Sequence, residues 1–295
     1  MSATVFDGNT LAATITVETA ERVRALNDVG MNVRLDAVLV GDPSAGAIFA
    51  QSQEKRCREL GIAYHLHALA ANATQQDICG SIRRLSENAD VTGILLNLPL
   101  PDGIDTPAAK YCIDPYKDIE GVNPVNIGML FYDCPIMAPC TATAVLEILR
   151  HIGCTVRGLH AVVVGMGTVT GRPMALNLMQ QDATVTACNV YTKNLIEHTR
   201  RADLLIAAAG VPGLISAEHV KPGAIVIDVG INRVPVGPGS AQTRIVGDVR
   251  FDEVREVAGV ITPVPGGVGP VTVAIVLRAA TEAAARRRDP RRIPG

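Results

Sequence analysis

The chain has 295 residues, is 48% hydrophobic and 19% charged, and carries a formal net charge of −2. That length suggests about two domains, and the apolar content supports sizeable cores and excludes a disordered chain. A near-neutral balance gives no electrostatic case for nucleic acid as a partner, and the basic run Arg286–Arg292 reads as a solvated helix end. The seven cysteines (57, 79, 112, 134, 140, 154 and 188) are scattered without a Cys-x-x-Cys pair, the pattern of reduced thiols in a cytoplasmic protein. No signal peptide is apparent in residues 1–20, and no apolar run approaches the roughly 18 residues that span a bilayer.

In chain order, residues 7–30 read as a helix that Asp7 can cap, with Leu11, Ile15, Thr19, Val23 and Leu26 at spacings of three and four. Arg34–Val40 reads as a strand ending in a Gly41-Asp42-Pro43 turn, Ala47–Leu60 as a helix stopped by Gly61, and Ala63–Leu69 as a strand. Thr74 caps a helix to about Asn88, with Asp77 at its third position, and Val91–Leu98 is a buried strand ending in Pro99-Leu-Pro101. Strands alternating with helices imply a mostly parallel, covered sheet whose ligands sit beyond the strand C-termini. Those ends are Gly41–Ser44, Asn97–Pro101 and the loop around Asp118–Asn126.

A second series begins near Cys140. It comprises helix Thr141–His151, strand His160–Val164, a glycine loop Gly165–Gly171, strand Ala183–Cys188, helix Lys193–Arg201, and strands Leu204–Ala209 and Ala224–Val229. Gly165-x-Gly167-x-x-x-Gly171 lies after a strand and before a helix, where tight turning and free helix N–H groups suit a pyrophosphate. Its second gap holds three residues where the dinucleotide fingerprint has two. The expected fold is therefore α/β with two domains, the second Rossmann-like.

The stretch Ile261-Thr-Pro-Val-Pro-Gly-Gly-Val-Gly-Pro-Val-Thr-Val273 is a stiff loop running into an apolar helix. Its prolines fix φ, and its glycines let backbone approach a flat ligand. By residues alone it is also compatible with a rigid interdomain turn. The string resembles the signature of the methylenetetrahydrofolate dehydrogenase/methenyltetrahydrofolate cyclohydrolase family. The resemblance extends to Asp7-Gly8, Cys57–Gly61, Gly93–Pro101, Lys117-Asp118, Pro139-Cys-Thr141, Gly171-Arg-Pro173, Gly223–Arg233 and Gly247-Asp-Val249.

The resemblance implies a folate-binding domain over 1–139 plus 270–295 and a nucleotide-binding domain over 140–269, meeting over a cleft, with the final helix returning to the first domain. It also implies a homodimer. The implied folate-binding residues are Phe49, Gln53, Leu96, Asn97, Leu98, Asp118, Glu120, Pro265, Gly266 and Gly267. The implied dinucleotide residues are Thr141, Gly165, Met166, Gly167, Val190 and Ile231. NADP-using relatives carry a basic residue just after the first loop glycine, or Ser/Arg near position 190. Met166 and Val190 stand there, which favours NAD over NADP and leaves open weak or lost nucleotide binding.

Four positions depart from the family. Its Tyr and Lys, four apart on the second helix, align with Phe49 and Gln53. Its strand-end Gln becomes Asn97, and the second Asp of its Asp-Val-Asp-Gly becomes Glu120. Gln53 cannot titrate, so cyclohydrolase chemistry is expected to be lost, whereas hydride transfer needs positioning more than proton transfer. Asn97 and Glu120 keep their functional groups and move them by a methylene, the mark of a reshaped pocket. Three readings follow: an NAD(P)-dependent methylenetetrahydrofolate dehydrogenase, a non-redox one-carbon transfer enzyme of specialised biosynthesis, or a catalytically silent folate-binding homologue. His65 and His67 lack a third ligand, so no metal is expected. Cys140 reads as a buried small residue, and Thr141 as a helix cap.

Overall fold

The computed structural model describes residues 2–41, 43–237, 240 and 242–286, with the backbone alone for 43–49. The first half comprises β1 (Thr4–Val5), α1 (Gly8–Asp28), β2 (Arg34–Val40), α2 (Pro43–Leu60), β3 (Ala63–Leu69), α3 (Gln75–Glu87) and β4 (Gly93–Leu96). Then come α4 (Thr106–Tyr111), α5 (Pro124–Phe131), α6 (Cys140–His151), β5 (His160–Val164), α7 (Gly171–Gln180), β6 (Thr184–Cys188) and α8 (Leu195–Thr199). The chain continues through β7 (Leu204–Ala207), β8 (Ile225–Asp228), β9 (Asn232–Pro235), β10 (Thr243–Val246), α9 (Phe251–Arg255), β11 (Val260–Ile261) and α10 (Val268–Arg286).

Residues 1–13 and 141–273 form one unit, and residues 14–140 and 274–295 the other. The first is built on a six-stranded sheet of order β1-β11-β8-β7-β5-β6, parallel at every pairing. Its central strands are apolar and buried apart from His160 at the start of β5, as a sheet covered on both faces requires. The chain runs from β5 outward to β6 and crosses back to β7, so the crevice beyond β5 and β7 is the topological switch point. A β9–β10 hairpin stands apart.

The second unit holds a parallel sheet of order β3-β2-β4. Asp118 extends it by a parallel bridge to Ile94, with the Ile94 amide donating to Lys117 O at 2.7 Å. The approach is close: a Cβ on Gly93 would fall 2.6 Å from Ile119 Cγ2. α3 and α4 seal one face through Ile78, Ile82, Leu85, Ala109 and the adjacent Ile113. Thr74 caps α3 as its sequence predicts, in a reciprocal box with Asp77.

Several expectations change. Residues 1–13 belong with the nucleotide unit, because β1 pairs with β11 and not with the β2 sheet. Thr141 is the second residue of α6, inside the helix, and so does not cap it. α8 is shorter than the predicted Lys193–Arg201 helix, since Asn194 takes a left-handed conformation with φ of 53°. By length and composition α10 could cross a membrane, although no such run was expected. About half of it (56%) is buried within the fold, as for a core helix.

Candidate active site

In the first unit the glycine loop follows β5 and opens α7, as predicted. Gly165 has φ of +103°, and a Cβ there would meet Ala208 O at 2.1 Å. A Cβ on Gly171 would lie 1.8 Å from Gly165 O. These two glycines let the ends of β5 and β7 and the start of α7 converge at the switch point. Gly167 has open space where its side chain would be. Thr170 makes no side-chain cap, which leaves N–H groups of the first turn of α7 unclaimed by it. A tight turn at Gly165 and Gly171, open space at Gly167 and an uncapped helix start are what a pyrophosphate-binding turn requires. Beyond β6, Val190 and Tyr191 are each 88% exposed, and neither brings a positive charge to a ribose phosphate.

The loop fixes a steric prediction. Gly171→Ala should cost about 1–3 kcal/mol of stability through a backbone clash and abolish dinucleotide binding, whereas Gly167→Ala should leave stability unchanged. Thermal melts and calorimetry of both variants check this, and equal behaviour would remove the geometric distinction.

The stretch 263–270 lines a cavity of about 420 Å³ with Asn9, Asp228–Ile231 and Ile245. Pro265, Gly266 and Gly267 thus share one cavity with Ile231, joining implied folate and dinucleotide residues within this unit. Gly8 donates its amide to Gly266 O at 2.8 Å, and a Cβ there would sit 1.8 Å from Gly267 O. The sequence reading missed Asp228 on this wall. Its carboxylate accepts from the amides of Gly230, Asp248 and Val249, and burial still pushes its pKa up to about 6. Fully buried Asp248 accepts from the amides of Ala209 and Gly210 and from Asn232 Nδ2, fixing the turn after β7. The Gly247-Asp-Val249 string was the available signal.

In the second unit, Leu96, Asn97 and Leu98 lie at the C-terminal end of β4, with Asp118 and Glu120 on the segment beside it. Asn97 is 8% exposed and Asp118 1%. Asp118 Oδ2 accepts from the Asn123 amide at 2.6 Å and Asn126 Nδ2 at 2.9 Å. Asp118 Oδ1 and Asn97 Nδ2 are buried and have no partner among the described residues. A buried acceptor and a buried donor left open in this way suit a polar ligand. Glu120, half-buried, has its pKa pushed up to about 7, first by burial, then by Asp118, against the opposing charge of Lys110. Gly121 follows with φ of +66°, and a Cβ there would strike Ala138 at 2.4 Å. The Cys140 amide donates to Glu120 O, and its thiol to Ile119 O at 2.9 Å. Burial pushes that thiol well above its ordinary value, so Cys140 is a structural pin and not a nucleophile.

Gln53, on α2 of the same unit, has its amide oxygen engaged by a neighbouring strand. Its Oε1 accepts from Tyr64 Oη at 3.0 Å, across from α2 to β3, and no hydrogen bond among the described residues links it to Asn97, Asp118 or Glu120. Burial pushes the Tyr64 hydroxyl up to about 12, so it stays a donor. The side chain of Phe49 lies outside the described residues. His67 Nε2 is spent on Asp36 Oδ1 at 2.7 Å, beside the Arg34 ion pair.

The tetrahydrofolate dehydrogenase/cyclohydrolase catalytic-domain model matches residues 6–120, and the NAD(P)-binding-domain model of the same family matches residues 139–288. The chain belongs to the tetrahydrofolate dehydrogenase/cyclohydrolase family. A relative from Brevibacillus brevis, the bifunctional protein FolD, is 41% identical over 287 residues, covering 97% of this chain and 99% of the relative. The crystal structure of the Campylobacter jejuni bifunctional enzyme FolD superposes with a TM-score of 0.92 at 39% identity, covering 97% of this chain and 100% of that one. The Trypanosoma brucei enzyme, solved with NADP and an inhibitor, gives a TM-score of 0.92 at 37% identity, with coverages of 98% and 99%. The two-domain α/β fold with a Rossmann-like NAD(P)-binding domain is therefore the family's. Within this member, sequence reasoning missed Tyr64, Asp228, Asp248 and Lys110.

Proposed function

We propose that this chain is an NAD(P)-dependent methylenetetrahydrofolate dehydrogenase in which cyclohydrolase activity is lost. The observation that carries the reading is the contrast between two groups in one unit. Asn97 Nδ2 and Asp118 Oδ1 stand open at the end of the β4 sheet, whereas Gln53, aligned with the family's Lys, is closed onto Tyr64. A pterin edge presents N–H donors beside a carbonyl acceptor, which complements a carboxylate oxygen and an amide N–H. Hydride removal from the methylene bridge needs the substrate held against the acceptor, and a bound nicotinamide supplies that acceptor. Hydrolysis of the methenyl product needs a titrating group at the bridge, which a glutamine amide does not provide.

The uncharged β6 end supports NAD over NADP, although the Trypanosoma brucei relative was solved with NADP. With methylenetetrahydrofolate and NAD, reduced nicotinamide is expected to form with an equal amount of methenyltetrahydrofolate, which then persists at its uncatalysed rate of loss. Prompt loss of the methenyl absorbance would mean that the cyclohydrolase survives. No reduced nicotinamide with either dinucleotide would move the reading to a non-redox one-carbon transfer enzyme, which the exposed, uncharged Val190–Tyr191 turn also favours. Consumption of methylenetetrahydrofolate without nicotinamide, given an acceptor, separates that reading from a silent folate-binding protein.

A further inference from the structure

The cavity lined by the Pro263–Pro270 stretch has one titratable residue on its wall among the described residues, Asp228. It ends β8 and is 3% exposed. Its carboxylate is met by backbone N–H groups: Oδ1 accepts from Gly230 at 2.9 Å and Asp248 at 3.0 Å, and Oδ2 from Val249 at 2.9 Å. Its own amide donates to Thr262 Oγ1 at 2.8 Å, and the Thr262 amide donates to Val226 O at 3.1 Å. One side chain thus ties down Gly230, which leads into Ile231, and the residue that precedes Pro263. The fit is close, since a Cβ on Gly247 would fall 1.8 Å from Asp228 Oδ2. Asp248 serves a different segment. It holds the amides of Ala209 and Gly210, the turn against which Gly165 packs. A dinucleotide seated on the glycine loop must still bring its nicotinamide to the folate. The cavity shared by Ile231 and Pro265–Gly267 is where the implied dinucleotide and folate residues meet.

We propose that Asp228 is a positioning residue for the nicotinamide end of the dinucleotide, acting through the Gly230–Ile231 backbone and through Thr262, while the glycine loop holds the adenosine diphosphate end. The inference rests on the dehydrogenase reading above. Three N–H groups converge on two oxygens, so an acceptor without a proton satisfies all of them. Protonation, or an asparagine, sets a donor against at least one of those amides and releases it. Burial, and lastly the charge of Asp248, push the Asp228 pKa up to about 6 against the hold of the three amides. The elements packed around it bring no further titratable group among the described residues. β7 sets Ala207 beside it, β11 leads into Thr262, and the rest of the cavity wall is apolar or amide.

The test is calorimetry of the full chain, without folate, against NAD, NADH and ADP-ribose, with the 2′-phosphorylated set run in parallel. ADP-ribose shares the adenosine diphosphate end and lacks the nicotinamide. In Asp228→Asn at pH 7.5, affinity for both NAD and NADH should fall about tenfold or more, while that for ADP-ribose stays within about twofold. Equal losses for all three ligands would make Asp228 a support of the whole unit and overturn the proposal. A loss confined to NAD would also overturn it, because that is charge attraction to the oxidised ring. A second arm needs no variant. Between pH 7.5 and 5 the parent's NAD affinity should fall about tenfold with a midpoint near 6, and its ADP-ribose affinity should not fall. If Asp228→Asn does not fold by circular dichroism, a parent NAD affinity that holds steady down to pH 5 overturns the proposal. A parent that binds none of these ligands fails the dehydrogenase reading itself, and this inference with it. A parent that binds them all without the expected differences leaves that reading standing and removes this one.

Discussion

Gln53→Lys combined with Phe49→Tyr should give this chain methenyltetrahydrofolate hydrolysis on the order of 100-fold or more above the parent, the range that a placed acid–base group contributes. Positions 49 and 53 are four apart on α2 and so share a face, which is the geometry the family's Tyr and Lys use. The structure adds a complication. Tyr64 donates to Gln53 Oε1 at 3.0 Å, and a lysine at 53 could in turn donate to the same phenol oxygen and be held away from the bridge. Adding Tyr64→Phe removes that trap, so the triple variant should exceed the double. Burial keeps Tyr64 protonated up to about 12, so raising the pH within the working range will not free it. Methenyl absorbance decay, read beside circular dichroism and folate calorimetry, is the measurement. A folded triple variant that binds folate and hydrolyses methenyltetrahydrofolate no faster than water does would overturn the role given to position 53.

That Gln53 is turned onto β3 could not be read from the sequence. Tyr64 is 11 residues away, on the next strand, and nothing in the helix period pairs them. Lys110 is hidden for a related reason. α4 is six residues long, Thr-Pro-Ala-Ala-Lys-Tyr, too short for a periodic face, and a lysine near its end reads as solvated. Its burial comes from the way Asn123 ties α4 to the acidic turn, a long-range closure of side chain on backbone. The two-residue β1 fails for want of length, since Thr4 and Val5 acquire strand identity only from Val260 and Ile261 far along the chain. By contrast, the parallel sheets were legible, because apolar strands such as His160–Val164 and Leu204–Ala207 alternate with helices at short spacing. The glycine loop was legible because Gly165 and Gly171 are positions where any Cβ collides with backbone, so the chemistry of the turn is written in residue type. Asp118 and Asn97 were placed from family motifs, but only coordinates could show that one oxygen and one N–H remain open.

Glu120→Ala should weaken methylenetetrahydrofolate binding by about 1.5–3 kcal/mol, roughly 10- to 150-fold in Kd, the worth of a hydrogen bond to a charged group. The effect should depend on pH, with opposite signs for binding and for folding. Burial, and then Asp118, push the Glu120 pKa up to about 7 against the pull of Lys110. The pterin's donors need the carboxylate, so affinity should rise as pH increases toward 7 and level off above it. Folding follows the other sense. A carboxyl whose folded pKa lies above its unfolded value contributes most while it is protonated in both states, below about 4.5, and that contribution is lost as pH rises to about 7. Glu120→Gln, neutral at every pH, should flatten both dependences while keeping the side-chain volume. Calorimetry at several pH values, with urea melts over the same range, resolves the two. Unchanged affinity in Glu120→Ala would take the residue out of the site. A binding profile that still rises through pH 7 in Glu120→Gln would assign the titration to another group, with Asp118, itself pushed up by burial, the next to examine.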